Sequence, residues 1–293
     1  AGAVQLNDAQ DNAVTSTRSS DADATLDRLA ELSALAVAEA RRLGASQAEA
    51  SANDERGLNV NVRMGEVESV ERTRDRGIAV TVYFGPRKAN ASTADLEPES
   101  LRRTVEMACA IAKHTEADAA NGLADEARMA RERRDFDQWH PWAVEADAAV
   151  ALALEAEAAG RSFDARISNS EGASVSTNEG LSVYANSHGF IGREKSTSHS
   201  ISASLIAGSG EAMQGQYWYT AALRHDDLES PGHVGRKAAE RTVARLDPRG
   251  APTGEFPVLF VPEAARSLIA HLVGAVSGGA LYRKASFLVG AQG

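Results

Sequence analysis

The stretch Leu58-Asn59-Val60-Asn61-Val62-Arg63-Met64-Gly65 decides the fold. Apolar Leu58, Val60, Val62 and Met64 alternate with polar Asn59, Asn61 and Arg63, the period of two that sends successive side chains to opposite faces of a strand. One face is then apolar and the other wetted, as in an antiparallel sheet covered on a single side. Gly65 permits a turn. After Gly77 the pattern returns in Ile78, Val80, Val82 and Phe84, and the intervening Glu66 to Arg76 alternates charges with Val67 and Val70. An antiparallel meander is expected.

Toward the N-terminus, Leu26, Leu29, Ser33, Val37 and Ala40 recur every three or four residues, which predicts a packing helix over Leu26 to Leu43 ended by Gly44. Residues 1–24 are rich in Ala, Asp, Ser, Asn and Thr and carry few large apolar groups, so a loose tail is expected there. Toward the C-terminus, Glu97-Pro98-Glu99 opens a helix with the apolar stripe Leu101, Val105, Ala108, Cys109 and Ala112. Cys109 reads as a buried thiol on that stripe. Residues 115–146 show no clean period and contain Trp139, His140, Pro141 and Trp142, a connector with a locally buried aromatic pair.

A helix over Asp147 to Gly160 is followed by alternating runs through Leu181, Val183 and Ala185 and through His199, Ile201, Ala203 and Leu205. A helix near Val234 to Leu246, a short apolar strand at Pro257 to Val261 and a further helix from Pro262 to Gly278-Gly279 complete the series. Strands and helices neither alternate strictly nor separate fully, so the class is α+β. The expected domains are a tail at 1–24, an N-terminal antiparallel sheet with packed helices at 25–146, and a β-rich C-terminal domain at 147–293. That last domain reads as truncated, because a new apolar segment begins at Phe287-Leu288-Val289-Gly290 as the sequence stops.

Composition narrows the function. A 293-residue chain that is 43% hydrophobic and 25% charged is long enough for a sizeable core. The net charge of −10, with no block of Lys and Arg, disfavours direct nucleic-acid binding. No apolar run approaches a membrane span, and Ala1 to Asp27 lacks a basic segment followed by an apolar one, so no membrane partner and a cytoplasmic location are expected. One cysteine makes neither an internal disulfide nor a thiolate metal site.

Nucleophile-elbow, phosphate-loop and H-E-x-x-H signatures are absent. His225, Asp226, Asp227 and His233 are interrupted by Ser230-Pro231-Gly232 and read as a solvated capping turn. Asn186, Ser187 and His188 lie in an expected turn, where they are candidates for orienting a peptide.

The stretch His271-Leu272-Val273-Gly274-Ala275-Val276-Ser277-Gly278-Gly279, followed by Tyr282-Arg283-Lys284, is similar to the place where TldD subunits of the TldD/PmbA family carry an H-E-x-x-x-H zinc helix. Met64-Gly65-Glu66-Val67-Glu68 with Gly77-Ile78-Ala79-Val80, and Tyr184-Ala185-Asn186-Ser187-His188-Gly189, resemble the PmbA (TldE) branch, described also as a modulator of DNA gyrase. His233-Val234-Gly235 through Arg241-Thr242 extends the resemblance over nearly all of the chain after the tail.

The resemblance implies a heterodimeric cytoplasmic metallopeptidase assembly that cleaves unfolded peptides, with zinc held by a TldD-like partner subunit. His271 matches the first zinc histidine, Leu272 stands at the catalytic glutamate and Val276 at the second histidine. A hydrolytic zinc site needs about three protein ligands and a nearby general base, which Leu and Val do not supply. The expectation is no catalytic residue, metal ligand set or cofactor in this chain. Asn186, His188, His271, Tyr282, Arg283 and Lys284 are its peptide- or partner-binding candidates, and strand addition near Ser196 to Leu205 is a further means of holding peptide. His271 also fits a plain packing role beside Ser267, Leu268 and Ala275. Three alternatives stay open: association with a second copy, a metallopeptidase in its own right with ligands beyond Gly293, and a non-enzymatic regulatory binding protein.

Overall fold

The fold is given by a computed structural model that describes residues 8–130 and 134–291. It divides into a compact unit up to Asp247 and a second unit from Pro248 onward.

The first unit is built on one six-stranded sheet in the order β3-β2-β1-β4-β5-β6, with every neighbouring pair antiparallel. The strands are β1 (Gln47–Arg63), β2 (Glu66–Phe84), β3 (Arg87–Thr93), β4 (Ile167–Asn186), β5 (Ile191–Ala207) and β6 (Gln214–Ala222). β1 and β2 meet through Met64 and Gly65, at φ 55° and 85°, the left-handed pair that a two-residue hairpin demands. Both turn amides donate to Glu157, 2.7 Å to each carboxylate oxygen, and that carboxylate is almost wholly buried.

Alternation delivers one apolar face. Ala48, Ala50, Ala52, Leu58, Val60 and Val62 of β1 point the same way and are buried under helices. At one end α1 (Asp8–Arg42) and α2 (Pro98–Ala112) pack over Ala50, Val80, Val82 and Val183. At the other, α3 (Ala146–Arg161) and α4 (Pro231–Val243) pack over Val60, Val175, Ile201 and Leu205. Each fully buried Val or Leu contributes about 1.5–3 kcal/mol. The opposite face is polar, and Ser174 and Ser176 bond Ser202 and Ser200 across β4 and β5.

The antiparallel sheet with helices on it is the α+β class expected, with three local differences. Helix α1 begins at Asp8, within the segment expected as a loose tail; residues 1–7 lie outside the described residues. Ala22 is buried in the first core, and Asp23 and Asp27 pair with Lys195 and Arg193 of β5, so packing extends the helix beyond its apolar stripe. The expected boundary at 146/147 marks no break in packing, because β4 pairs with β1 over fourteen residues and carries the sheet straight across it.

The third difference is in the second unit, where Pro257 to Val261 is an exposed coil rather than a buried strand. Val258 is 69% and Leu259 92% exposed. Among the described residues no strand pairs with this run, and a strand without partners leaves its backbone groups to water. The unit contains α5 (Pro262–Ala275) and α6 (Gly278–Tyr282). Leu268, Ile269, Leu272 and Val273 of α5 are each more than half exposed. Among the described residues no helix is long and apolar enough to cross a membrane.

Candidate functional site

The turn between β4 and β5 is held by its own side chains. Asn186 Oδ1 accepts from the amides of His188 at 3.0 Å and Phe190 at 3.4 Å, while Gly189, at φ 84°, closes the turn. Ser187 exchanges two hydrogen bonds with the backbone of Ala48, its amide donating and its hydroxyl accepting. Asn186 is therefore buried and committed to turn geometry, whereas His188 Nε2 is buried without a hydrogen-bond partner. Nearby, the Tyr83 and Tyr184 hydroxyls donate to the two oxygens of Glu49 at 2.8 and 2.7 Å. Burial, with help from that carboxylate, pushes both phenols upward, so they remain hydrogen-bond donors at neutral pH.

In the second unit His271 lies on exposed α5, where its Nδ1 donates to the Ser267 carbonyl at 2.6 Å. Leu272 and Val276 are each 51% exposed and offer no donor atom to a cation. Tyr282, Arg283 and Lys284 follow at the end of α6, with Lys284 at φ 55° and its amide donating to the Leu281 carbonyl at 3.0 Å. Asn186 and His188 belong to the first unit and the other four candidates to the second. Among the described residues no set of three or more His, Cys, Asp or Glu is placed to hold a metal ion. His225 stacks on Trp142 at 5.3 Å and His233 faces Glu229 at 3.7 Å, so the two imidazoles serve different contacts. At the helix singled out in the sequence, His271, Leu272 and Val276 offer one imidazole and two alkyl groups, a donor set that does not fit a hydrolytic zinc ion.

Strand addition over Ser196 to Leu205 needs an open edge, and β6 pairs with β5 from His199 to Ala207. That expectation is corrected: the Ser-rich edge is already filled over most of its length. Just before it, the Thr197 amide donates to the Gln138 carbonyl at 2.9 Å.

Between the two apolar cores the helix-covered face of the sheet carries a charged belt. Pairing lines up Arg74, Arg56, Glu179 and Thr197 in one row across β2, β1, β4 and β5. Arg76, Asp54, Leu181 and Lys195 form the row on one side, and Arg72, Leu58, Thr177 and His199 the row on the other. Asp54, only 4% exposed, accepts from Arg74 at 2.8 Å. The connector is laced onto the belt: the His140 amide donates to Thr197 Oγ1 at 3.0 Å, and His199 Nε2 donates to the His140 carbonyl at 2.9 Å. His199 Nδ1 then accepts from the Thr177 hydroxyl at 2.8 Å, which fixes a neutral imidazole. Burial lowers the His199 pKa, His225 reinforces that shift and the His140 carbonyl opposes it. Trp142 meets His199 edge-on at 5.6 Å. A cavity of about 210 Å³ lies over the belt, roofed in part by Trp139 and Trp142.

The belt went unread in the sequence although its signal was present. Arg72, Arg74 and Arg76 share the parity of Ile78, Val80 and Val82, and Asp54 and Arg56 share that of Ala52 and Leu58. Charges on an inward parity mark a polar interruption of the core, but which charge faces which follows only from strand register.

Residues 48–112 match PmbA/TldA metallopeptidase domain 1, and residues 139–246 match the PmbA/TldA metallopeptidase central domain. The metalloprotease PmbA homolog of Haemophilus influenzae is 42% identical over 254 residues, covering 87% of this chain and 56% of that protein. The metalloprotease PmbA of Escherichia coli O157:H7 is 42% identical over 246 residues, covering 84% and 55%. The chain thus spans about half the length of these curated relatives. A crystal structure from Bacteroides thetaiotaomicron, described as that of a candidate modulator of DNA gyrase, superposes with a TM-score of 0.82 at 25% identity over 88% of this chain and 59% of that one. TldE from Thermococcus kodakarensis shares the fold, with a TM-score of 0.73 at 17% identity over 87% and 57%.

Proposed function

Because the chain belongs to the PmbA/TldD family of metallopeptidases, on its PmbA/TldE side, we propose that it is a non-catalytic subunit of a cytoplasmic peptidase assembly whose zinc sits in a TldD-like partner. One observation carries the reading. At the helix that resembles the family's zinc motif, the chain presents His271, Leu272 and Val276, one imidazole and two alkyl groups. An imidazole alone does not hold a hydrolytic zinc ion, and a leucine takes no proton from water. Where zinc is bound, in the partner, it supplies a polarised water for peptide hydrolysis. This chain contributes surface for an unfolded peptide or for the partner. On the first unit His188, and on the second Tyr282, Arg283 and Lys284, are the residues proposed for such contacts.

The names of the relatives favour a second reading, peptidase activity residing in the same polypeptide. Digestion of an unfolded peptide by the purified chain, alone and with a zinc-bearing homologue added, separates the two. Cleavage only in the mixture supports the proposal; chelator-sensitive cleavage by the chain alone supports the second reading.

A further inference from the structure

The cavity over the charged belt is walled by residues of the first unit outside the β4–β5 turn, and its chemistry points to a ligand. Two of its wall residues hold buried polar atoms that lack hydrogen-bond partners, Asp54 Oδ1 and Trp139 Nε1. Asp54 spends Oδ2 on Arg74 at 2.8 Å; Arg56 Nε stands 3.6 Å from Oδ1, an ion pair too long for a hydrogen bond. One lone acceptor therefore waits for a donor, and the indole N–H, which only donates, waits for an acceptor. Buried polar atoms in folded proteins are seldom left this way, and each exception calls for a water, an ion or a ligand.

The remaining wall says which. Asp21 and Glu179 add negative charge, Arg56 and Arg72 positive charge, and Trp142 with Leu58 adds apolar surface. A simple anion would meet three carboxylates and a simple cation two guanidiniums, whereas a molecule carrying both charges meets complementary groups at each end. About 210 Å³ exceeds the roughly 150 Å³ cavity that admits benzene, so a ligand of amino-acid size fits. We propose that this cavity binds a small zwitterion, a free α-amino acid or a dipeptide, with its ammonium on Asp54 Oδ1 and its carboxylate taking the Trp139 N–H.

Two of the three tryptophans wall the cavity, so intrinsic fluorescence reports occupancy. The chain is titrated with L-leucine, L-glutamine and L-alanyl-L-alanine, the last arm distinguishing a peptide from a free amino acid. At least one is expected to bind with Kd below about 1 mM. For the binder, acetylating its amine and amidating its carboxylate should each weaken binding at least about tenfold. Trp139→Phe, which keeps the ring and deletes the N–H, should weaken it by a similar factor with an unchanged circular dichroism spectrum. Absence of binding by the whole panel would overturn the proposal and leave the cavity to water. So would equal binding of the doubly blocked derivative, which would mark an amide site instead. Because the blocked ligands are tested on the unaltered chain, the conclusion holds even where the Trp139 variant misfolds.

Discussion

Helices α3 and α4 approach so closely that glycine is required at Gly235. A Cβ built there lies 1.8 Å from the Ala156 carbonyl oxygen, 2.9 Å from its carbon and 3.0 Å from the Gly160 nitrogen. All three atoms are backbone, so no side chain can swing aside, and the helices must part by more than an ångström. Parting them opens the contact between Ala149, Ala153 and Ala156 on one helix and Val234, Ala238 and Ala239 on the other, every one at 0% exposure. Overpacking of a tight core costs about 1–3 kcal/mol and sometimes more. A backbone clash this deep belongs at or above the upper end, against a propensity gain of about 1 kcal/mol for replacing a helical glycine with alanine. Gly235→Ala should therefore destabilise the first unit by about 2–3 kcal/mol, a fall in Tm of roughly 5–10 °C for a unit of this size. Thermal unfolding followed at 222 nm reads this directly. Gly274→Ala on α5, where the added methyl meets nothing within 4 Å beyond its chain neighbours and its own helix backbone, is the matched control and should not lower Tm. A Gly235→Ala protein melting within about 1 °C of wild type would refute the helix contact.

Glu157→Gln replaces one of the two acceptors holding the Met64 and Gly65 amides with an amide donor, so urea unfolding should show a loss of about 2–4 kcal/mol, whereas an unchanged midpoint would remove the carboxylate from the turn. His199 is depressed by burial below the ordinary value of 6.5. The unfolded chain then binds this proton more readily than the folded one, so its contribution to stability is full above about pH 6.5 and lost as pH falls through the folded pKa. Histidine ring resonances titrated by NMR should show His199 still neutral just below pH 6.5; protonation at or above that pH would contradict the buried, Thr177-bonded ring. Cys109 is 3% exposed, and burial raises its pKa more strongly than Lys113 lowers it. A thiol reagent at pH 8 should label it only after denaturation, and rapid labelling of the folded chain would contradict its place in the core.

The strands were legible because Leu58, Val60 and Val62 alternate with Asn59 and Asn61, and Ile78, Val80 and Val82 with Ala79 and Thr81; those six are buried, whereas Met64 is exposed in the turn and Tyr83 rather than Phe84 is fully buried after Val82. Helix α2 was legible for the same reason at the helical period, down to Cys109 on its buried stripe. The strand expected at Pro257 to Val261 failed because continuous apolar character reports a preference for burial and says nothing of a partner strand. Helix α1 outran its stripe because the aspartates at 23 and 27 find cations on β5, contacts separated by well over a hundred residues in sequence. Asn186 was legible as a turn residue, but its carboxamide oxygen is consumed by local amides, a fact of loop geometry. The cavity depends on the register of four strands and the path of the connector, and composition carries neither.

The central claim, a PmbA/TldE-type subunit without a zinc site of its own, rests on the chemistry of His271, Leu272 and Val276. The most direct test is elemental analysis of the purified chain after equilibration with zinc, coupled to digestion of an unfolded peptide with and without a zinc-bearing homologue. The predicted result is no stoichiometric zinc, no cleavage by the chain alone, and unchanged reconstituted activity in His271→Ala. One zinc per chain together with chelator-sensitive cleavage by the chain alone would contradict it.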